Sequence, residues 1–245
     1  MDIVLLDWTR MGKAYCLAGV VVEQDRLRVV RPLLARNQGL PLRNVGWSAY
    51  LLDGHSRWEV FELVGPSPAL PEPPHLEDVW VRALRPRHCL APTEQRRAIL
   101  QALTAEAAEE PFGAPLTTTR AAAYLTPGQG RRSLTTLLVP SAAIRFSASR
   151  REGAPEADVR VTLGVPPLED RLLPVKDHHL LLHAERAAPT LAGQVQALHW
   201  AVEQMGEQVA VRLGLSRAFA TRPHEGPGWC WLMADGFFSF AGPQC

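Results

Sequence analysis

Histidine and acidic side chains lie next to each other at residues 176–183, in the sequence KDHHLLLH. Imidazole nitrogens and carboxylate oxygens bind zinc and related metals, so Asp177 and His178 could belong to a metal site. Phosphoesterases with an Asp-His-His motif need further acidic strand ends, and no Asp-x-Asp pattern occurs in this chain. Leucines also fill the space between His179 and His183. We therefore interpret residues 179–185 as a strand with solvated histidines at its end, and predict no metal site.

A second polar cluster, HLEDVW at residues 75–80, joins a histidine, two carboxylates and a tryptophan. Such a set can perform acid–base chemistry when it is buried together. Neighbouring side chains on a strand point to opposite faces, however, so Glu77 and Asp78 would not share one pocket. No nucleophile lies nearby, and no G-x-S-x-G, P-loop or G-x-G-x-x-G signature is present. We predict a structural or ligand-binding role for His75 and Trp80, and no catalytic residue or cofactor.

Arginine carries nearly all of the positive charge, because Lys13 and Lys176 are the only lysines among 26 basic residues. Guanidinium groups bind phosphates in a bidentate manner and stack on bases, which suits nucleic acid. Arginines at 82–87 also lie near Trp80, and cations beside aromatic rings are used to bind single strands. A GC-rich or thermophilic genome gives the same composition without any function. The net charge of +1 provides no long-range attraction to a polyanion.

The four cysteines are isolated, with no C-x-x-C pair, which argues against a zinc knuckle or redox motif and fits a reducing compartment. Cys16 and Cys230 lie among apolar residues, so we expect small buried side chains rather than nucleophiles. The first residues lack the basic region and apolar core of a signal peptide. No apolar run reaches the roughly 18 residues of a membrane helix. We predict a cytoplasmic protein with no membrane partner.

Short apolar runs separated by turn residues predict a mainly β fold. Residues 2–7, 14–23 and 27–32 are predicted to form a meander of three strands, which ends at an Arg-Pro step because proline cannot donate to a sheet ladder. Apolar residues at helical spacing predict two helices, at about 91–110 and 190–207. The 21 prolines and 18 glycines are consistent with this number of breaks.

The second half of the chain continues this pattern of short strands. Residues 144–164 are predicted to form a β-hairpin, and Asp235-Gly236 a tight turn between two further strands. The loop-rich region at 111–130 is the predicted domain boundary. A chain of 245 residues is long enough for one large domain or two smaller ones.

Several short motifs are spread over most of the chain. They are Gly12, Lys13, Cys16, Ala18, Gly19 and Arg31-Pro32 near the start, then HLEDVWV at 75–81, LLPVKD at 172–177, LGLSRAF at 213–219 and WCWLMADGFFSF at 229–240. In these motifs the chain resembles the dual OB-containing domain family, although Tyr15 stands where a basic residue is usual. The resemblance implies two OB-like β-barrels in tandem, residues 1–112 with a trailing helix and 113–245 with an inserted helix. The expected fold class is mainly β with two helices, an α+β arrangement.

The resemblance also implies a function. Proteins of this family are associated with bacterial and archaeal defence or conflict systems, with a proposed role in recognising nucleic acid, including single-stranded or modified forms, and signalling to a partner effector. OB barrels bind oligonucleotides across one sheet face and its flanking loops. We expect a non-catalytic recognition module whose partners are DNA or RNA and an effector protein. The candidate nucleic-acid contacts are Arg10, Lys13, Tyr15, Arg31, His75, Trp80, Arg217 and Trp231.

Two other functions remain open. The near-zero net charge and the proline-rich loop at 66–75 also suit a protein-interaction scaffold in a larger defence assembly. Dispersed residues such as His75, Glu77, Asp177 and His178 could instead serve a metal-dependent nuclease or phosphoesterase.

Overall fold

Strands dominate the structure of this chain. The computed structural model describes residues 1–12, 14–23, 26–35, 46–49, 54–69, 72–105, 110–119, 122–150, 157–219 and 228–240. Strands make up 50% and helices 20% of it, with three α-helices in these residues. None of those helices is both long and apolar enough to cross a membrane. The mainly β, α+β prediction is confirmed, with one helix more than the sequence predicted.

An eight-stranded sheet is built from the part of the chain before residue 91. Its strands are β1 (Asp2–Met11), β2 (Ala14–Glu23), β3 (Arg26–Leu34), β4 (Trp47–Ser48), β5 (Glu59–Val64), β6 (Ser67–Pro68), β7 (Asp78–Val81) and β8 (Ala83–Leu90). The order across the sheet is β6-β7-β3-β2-β1-β5-β8, with β4 paired to β2. The antiparallel pairs β1–β2 and β2–β3 confirm the predicted meander. Helix α1 (Thr93–Leu103) follows the last strand.

Two smaller sheets and two helices follow. Their elements are β9 (Thr117–Thr118), β10 (Ala123–Leu125), β11 (Leu134–Pro140), β12 (Ile144–Arg150), β13 (Ala157–Leu163), β14 (Leu173–Pro174), α2 (His178–Ala187), α3 (Leu191–Glu203), β15 (Gln208–Leu215) and β16 (Cys230–Ser239). The sheet orders are β11-β15-β16-β10-β9 and β12-β13-β14. Two of the sheets curl into half-barrels. The division into domains 1–112 and 113–245 stays a prediction.

Three apolar clusters form the core. One lies on the eight-stranded sheet, and a second is formed by the elements after residue 111. The third joins the two parts of the chain, because Leu6 of β1 and Ile99 of α1 pack in one cluster with Phe238 of β16. Strand β1 is therefore buried on both faces, which explains its continuous apolar run rather than an alternating pattern.

Helix α2 lies where the sequence predicted a strand. Asp177 is its N-cap, and the Asp177 side chain accepts a hydrogen bond from the backbone N–H of Leu180 at 2.9 Å. Leu180 and Ala184, four residues apart, are both buried and give the helix its inner face. The short apolar run fits both the two-residue period of a strand and the 3.6-residue period of a helix. The aspartate N-cap favours the helix. The helix predicted near 190–207 is confirmed by α3, capped by Thr190.

Strand β16 is continuous, so the turn predicted at Asp235-Gly236 is wrong. Strand β15 pairs with it on both sides of this position, with Leu213 opposite Ala234 and Arg212 opposite Gly236. Asp235 has no cross-strand partner and forms a β-bulge. Elsewhere, the pairing of β12 with β13 confirms the hairpin predicted at 144–164.

Candidate functional site

Two indole rings lie on the outer face of the five-stranded sheet. In the segment GWCWL, Trp229 and Trp231 are two residues apart, so their side chains point to the same side of the extended chain. Cys230 and Leu232 point to the core and are 1% and 2% exposed, whereas both tryptophans are only partly buried. The alternation of bulky and small apolar residues thus places two large rings at the surface.

Two further rings reach the same place, Tyr124 from a distant part of the sequence and Phe219 from the segment that precedes the tryptophans. Tyr124 of β10 pairs with Trp231, and its ring centroid lies 5.2 Å from that of Trp231 and 4.9 Å from that of Trp229. Phe219 forms an isolated β-bridge with Trp229, and its ring lies 6.4 Å from that of Trp231. We call Tyr124, Phe219, Trp229 and Trp231 the aromatic surface. Of the predicted contacts, Trp231 belongs to it.

Hydrogen bonds fix the position of Trp231. Its backbone N–H donates to Ser216 Oγ at 2.9 Å, and the Ser216 N–H donates to the Trp231 carbonyl at 2.9 Å. The indole Nε1–H donates to the carbonyl of Phe219 at 3.2 Å. Because both edges of the residue are held, the Trp231 ring is presented in a defined orientation, which lowers the entropy lost on binding. Arg217, another predicted contact, directly follows Ser216.

Arg31 and His75, two other predicted contacts, lie in a buried network. The Arg31 guanidinium is 2.9 Å from His75 Nδ1, donates to Ser133 Oγ at 2.6 Å and lies 3.4 Å from Asp78 Oδ1. His75 Nε2 lies 3.1 Å from the carbonyl of Ser216. Burial, with the charges of Arg31 and Arg217, lowers the pKa of His75 to about 2, so the ring is neutral at pH 7.

The acidic side of this network connects the two parts of the chain. Glu77 accepts hydrogen bonds from the backbone N–H and the hydroxyl of Ser133, at 2.6 and 3.0 Å. Asp78 forms an ion pair with Arg217 as well as with Arg31. The two terminal nitrogens of Arg31 and both ring nitrogens of His75 therefore have partners within the protein, whereas Arg31 Nε has none among the described residues. Sequence reasoning placed Glu77 and Asp78 on opposite faces. In the structure they are linked through Ser133 and Arg31, because Arg31 contacts both Ser133 and Asp78.

A second buried ion pair lies nearby. Arg212 of β15 donates to both carboxylate oxygens of Asp7 in β1, at 2.6–3.2 Å, and to Thr136 Oγ1 at 3.1 Å. The side chains of Arg212 and Asp7 are 0% and 1% exposed. Asp235 is buried in the same region, and burial, with the charge of Asp7, raises its pKa to about 8.

Of the four remaining predicted contacts, three lie elsewhere in the described structure and one lies outside it. Arg10 and Tyr15, from β1 and β2, lie against helix α2: the Arg10 guanidinium binds Glu185, and the Tyr15 ring is 4.8 Å from that of His178. Trp80 is a half-buried residue of β7. Lys13 lies outside the described residues.

Sequence reasoning missed most of the aromatic surface. The alternation in GWCWL was a usable signal for Trp229 beside Trp231, since a small buried cysteine separates the rings. Tyr124 and Phe219 carried no such signal, because only strand pairing brings them near. Nucleic-acid contact by any of the predicted residues stays a prediction.

The described residues contain no metal centre. Among the described residues, no group of three or more His, Cys, Asp or Glu side chains is arranged to hold a metal ion. Burial raises the pKa of Cys230 to about 11, so this thiol is protonated at pH 7.

Comparison with family models, with curated proteins and with solved structures finds no match to this chain.

Proposed function

We propose that the protein binds single-stranded nucleic acid through the aromatic surface and does not itself act chemically on the strand. The observation that carries the proposal is the set of four rings on one side of the sheet, with centroid distances of 4.9, 5.2 and 6.4 Å. Nucleobases stack on such rings, and every base offers a π face, so this mode of binding tolerates many sequences.

We expect electrostatic attraction to contribute less to binding than stacking does. Arg217, beside the aromatic surface in sequence, has a side chain 16% exposed and shares its charge with Asp78. The net charge of +1 gives no general attraction to phosphates. We therefore expect an affinity set mainly by stacking, with a shallow dependence on salt.

We further propose that each half is an OB-like barrel and that the module recognises nucleic acid for a partner effector in a prokaryotic defence system. The curled half-barrel sheets support the first part, and the resemblance noted from the sequence motifs supports the second. OB barrels bind strands across one sheet face, and the aromatic surface likewise lies on one face of a sheet, which supports the proposal. Co-purification with the products of neighbouring genes tests whether an effector protein binds this chain.

The test of strand binding compares two tryptophans. Fluorescence anisotropy measures the binding of labelled single-stranded DNA and RNA to the native protein, to Trp231→Ala and to Trp200→Ala. Trp200 is the matched control, because it lies on α3, is 58% exposed and stacks only with His183 among the described residues. Loss of one stacked base costs about 1–3 kcal/mol, so we expect Trp231→Ala to weaken binding about 5- to 150-fold and Trp200→Ala to leave it unchanged.

Two results would contradict the proposal. One is the absence of binding by the native protein even at low salt, where phosphate contacts are strongest. The other is an equal loss of affinity in both variants, which would show that the protein binds through exposed tryptophans in general.

A further inference from the structure

A separate cleft opens between the first strands and helix α2. Its volume is about 620 Å³, within the range of small-molecule sites. Trp8 and Tyr15 line it from the eight-stranded sheet, and His178 and His179 line it from the start of α2. His55 and Arg186 also line the cleft. Residues from both parts of the chain are therefore needed to form the cleft.

The rings of this cleft form flat walls. His178 stacks on Trp8 with an interplanar angle of 11°, and meets Tyr15 edge to face at a centroid distance of 4.8 Å. His179 lies 4.9 Å from Trp8. Flat aromatic walls at these spacings favour a planar ligand over a branched or spherical one.

Two polar ring atoms beside these walls have no hydrogen-bond partner among the described residues. The Trp8 Nε1–H and His179 Nε2 are buried and make no hydrogen bond within the described chain. The Nδ1 of His178 accepts a hydrogen bond from Arg10 at 3.1 Å, which leaves the proton of a neutral ring on Nε2. An unpaired buried polar atom destabilises the protein, so a ligand that forms a hydrogen bond with it would recover that cost.

The charges around the cleft favour an anion. Burial and the charge of Arg10 lower the pKa of His178, and burial and Arg57 lower that of His179 to about 3, so both rings are neutral at pH 7. Glu185 is held by both Arg10 nitrogens. Arg186 makes no hydrogen bond or ion pair with another described residue and lies in the lining. Its guanidinium is free for a phosphate.

We propose that this cleft binds a planar heteroaromatic anion of the nucleoside monophosphate class. The ring would stack against the aromatic walls and form hydrogen bonds with the unpaired ring nitrogens, and the phosphate would pair with Arg186. The same chemistry is present in a free nucleotide and in the terminal nucleotide of a strand. The cleft and the aromatic surface share no residue, so this proposal does not depend on strand binding at the aromatic surface.

Two histidines of one helix provide the test. Isothermal titration with AMP, GMP, CMP and UMP measures binding to the native protein, to His179→Leu and to His183→Leu. His183 is the matched control, since it lies on the exposed face of α2 and stacks with Trp200 instead of the cleft rings. We expect His179→Leu to weaken nucleotide binding about 5- to 100-fold and His183→Leu to leave it unchanged. Short oligonucleotides with and without a terminal phosphate distinguish a strand end from a free nucleotide.

Thermal unfolding without ligand gives a second readout. His179→Leu removes a buried nitrogen that has no partner, so we expect this variant to be at least as stable as the native protein. Higher stability with lower affinity identifies a ligand-binding residue, whereas a loss of both would indicate a structural one and overturn the proposal. It is also overturned if no nucleotide binds, or if inorganic phosphate or bare nucleosides bind as well as the nucleotides.

Discussion

Asp235 carries a carboxyl group that the fold shields from water. The residue is 3% exposed, and its Oδ1 makes no hydrogen bond within the described chain. Its neutral form is favoured because a charge there would be desolvated and would face the carboxylate of Asp7. The pKa therefore rises from 3.8 to about 8 on folding. A group of this kind ties stability to pH.

We expect Asp235→Asn to flatten the pH dependence of stability. Because the folded pKa of Asp235 is raised, the stability that its neutral form provides is complete below about pH 4 and is lost as pH rises to about 8. The asparagine variant stays neutral throughout, so its free energy of unfolding should exceed that of the native protein near pH 8. Urea denaturation across this range measures the difference.

Asp158→Asn is the control for this experiment. Its carboxylate is 56% exposed and pairs only weakly with Arg160, at 3.4 Å, so we expect little change at any pH. A native protein whose stability rises steadily from pH 4 to pH 8, with Asp235→Asn following the same curve, would contradict the account of Asp235.

At the scale of elements, Asp235 in the β-bulge packs directly against Gly214 of β15. A Cβ atom on Gly214 would lie 1.8 Å from Asp235 Oδ2, which is far inside van der Waals contact. We expect Gly214→Ala to lower the free energy of unfolding by about 1–3 kcal/mol, the usual cost of overpacking a core. Urea denaturation of the single variant gives this value.

Asp235→Ala should relieve that clash. We expect the pair Gly214→Ala and Asp235→Ala to be less destabilising than the sum of the two single changes, because the colliding carboxylate is gone. Additive effects in this double-mutant cycle would mean that the two positions do not interact.

The sequence predicted those elements whose signals are local. The β12–β13 hairpin, the β1–β3 meander and helix α3 follow from alternation, turn residues and helical spacing. The turn at Asp235-Gly236 was wrong because long-range pairing with β15 overrides the local preference of an Asp-Gly step. Helix α2 was missed because its strongest signal, the Asp177 cap, lies one residue before it.

The candidate site was predictable to a smaller extent. Trp231 was identified from sequence, but its three companion rings depend on how strands pair across the sheet. The polar motifs around Arg31 and His75 indicated functional residues, and the structure places their atoms in contacts between the two parts of the chain. Sequence spacing contains no information on such distant partners.

At the scale of the whole molecule, buried ions join the two parts. Removing Arg212 would leave the Asp7 carboxylate buried and unpaired, since Arg212 supplies three short contacts to it. We expect Arg212→Met to destabilise the protein by about 3–5 kcal/mol. Asp7→Leu combined with Arg212→Met should recover much of this, because an apolar pair carries no desolvation cost. Urea denaturation of both variants measures these differences.

Arg85→Met provides the control on the surface. Arg85 pairs with Glu62, but its side chain is 64% exposed, so we expect a change below about 1 kcal/mol. If Arg212→Met proves as mild as Arg85→Met, the buried pair does not hold the two parts together.

The distance in sequence between Asp7 and Arg212 has a consequence during synthesis. The two residues are 205 positions apart, and ribosomes add about 5–20 residues per second. Arg212 is therefore synthesised roughly 10–40 s after Asp7. Throughout that time the nascent first sheet holds a carboxylate that cannot be sequestered without its counter-ion. The native pairing of these two ions is therefore postponed until Arg212 has left the exit tunnel.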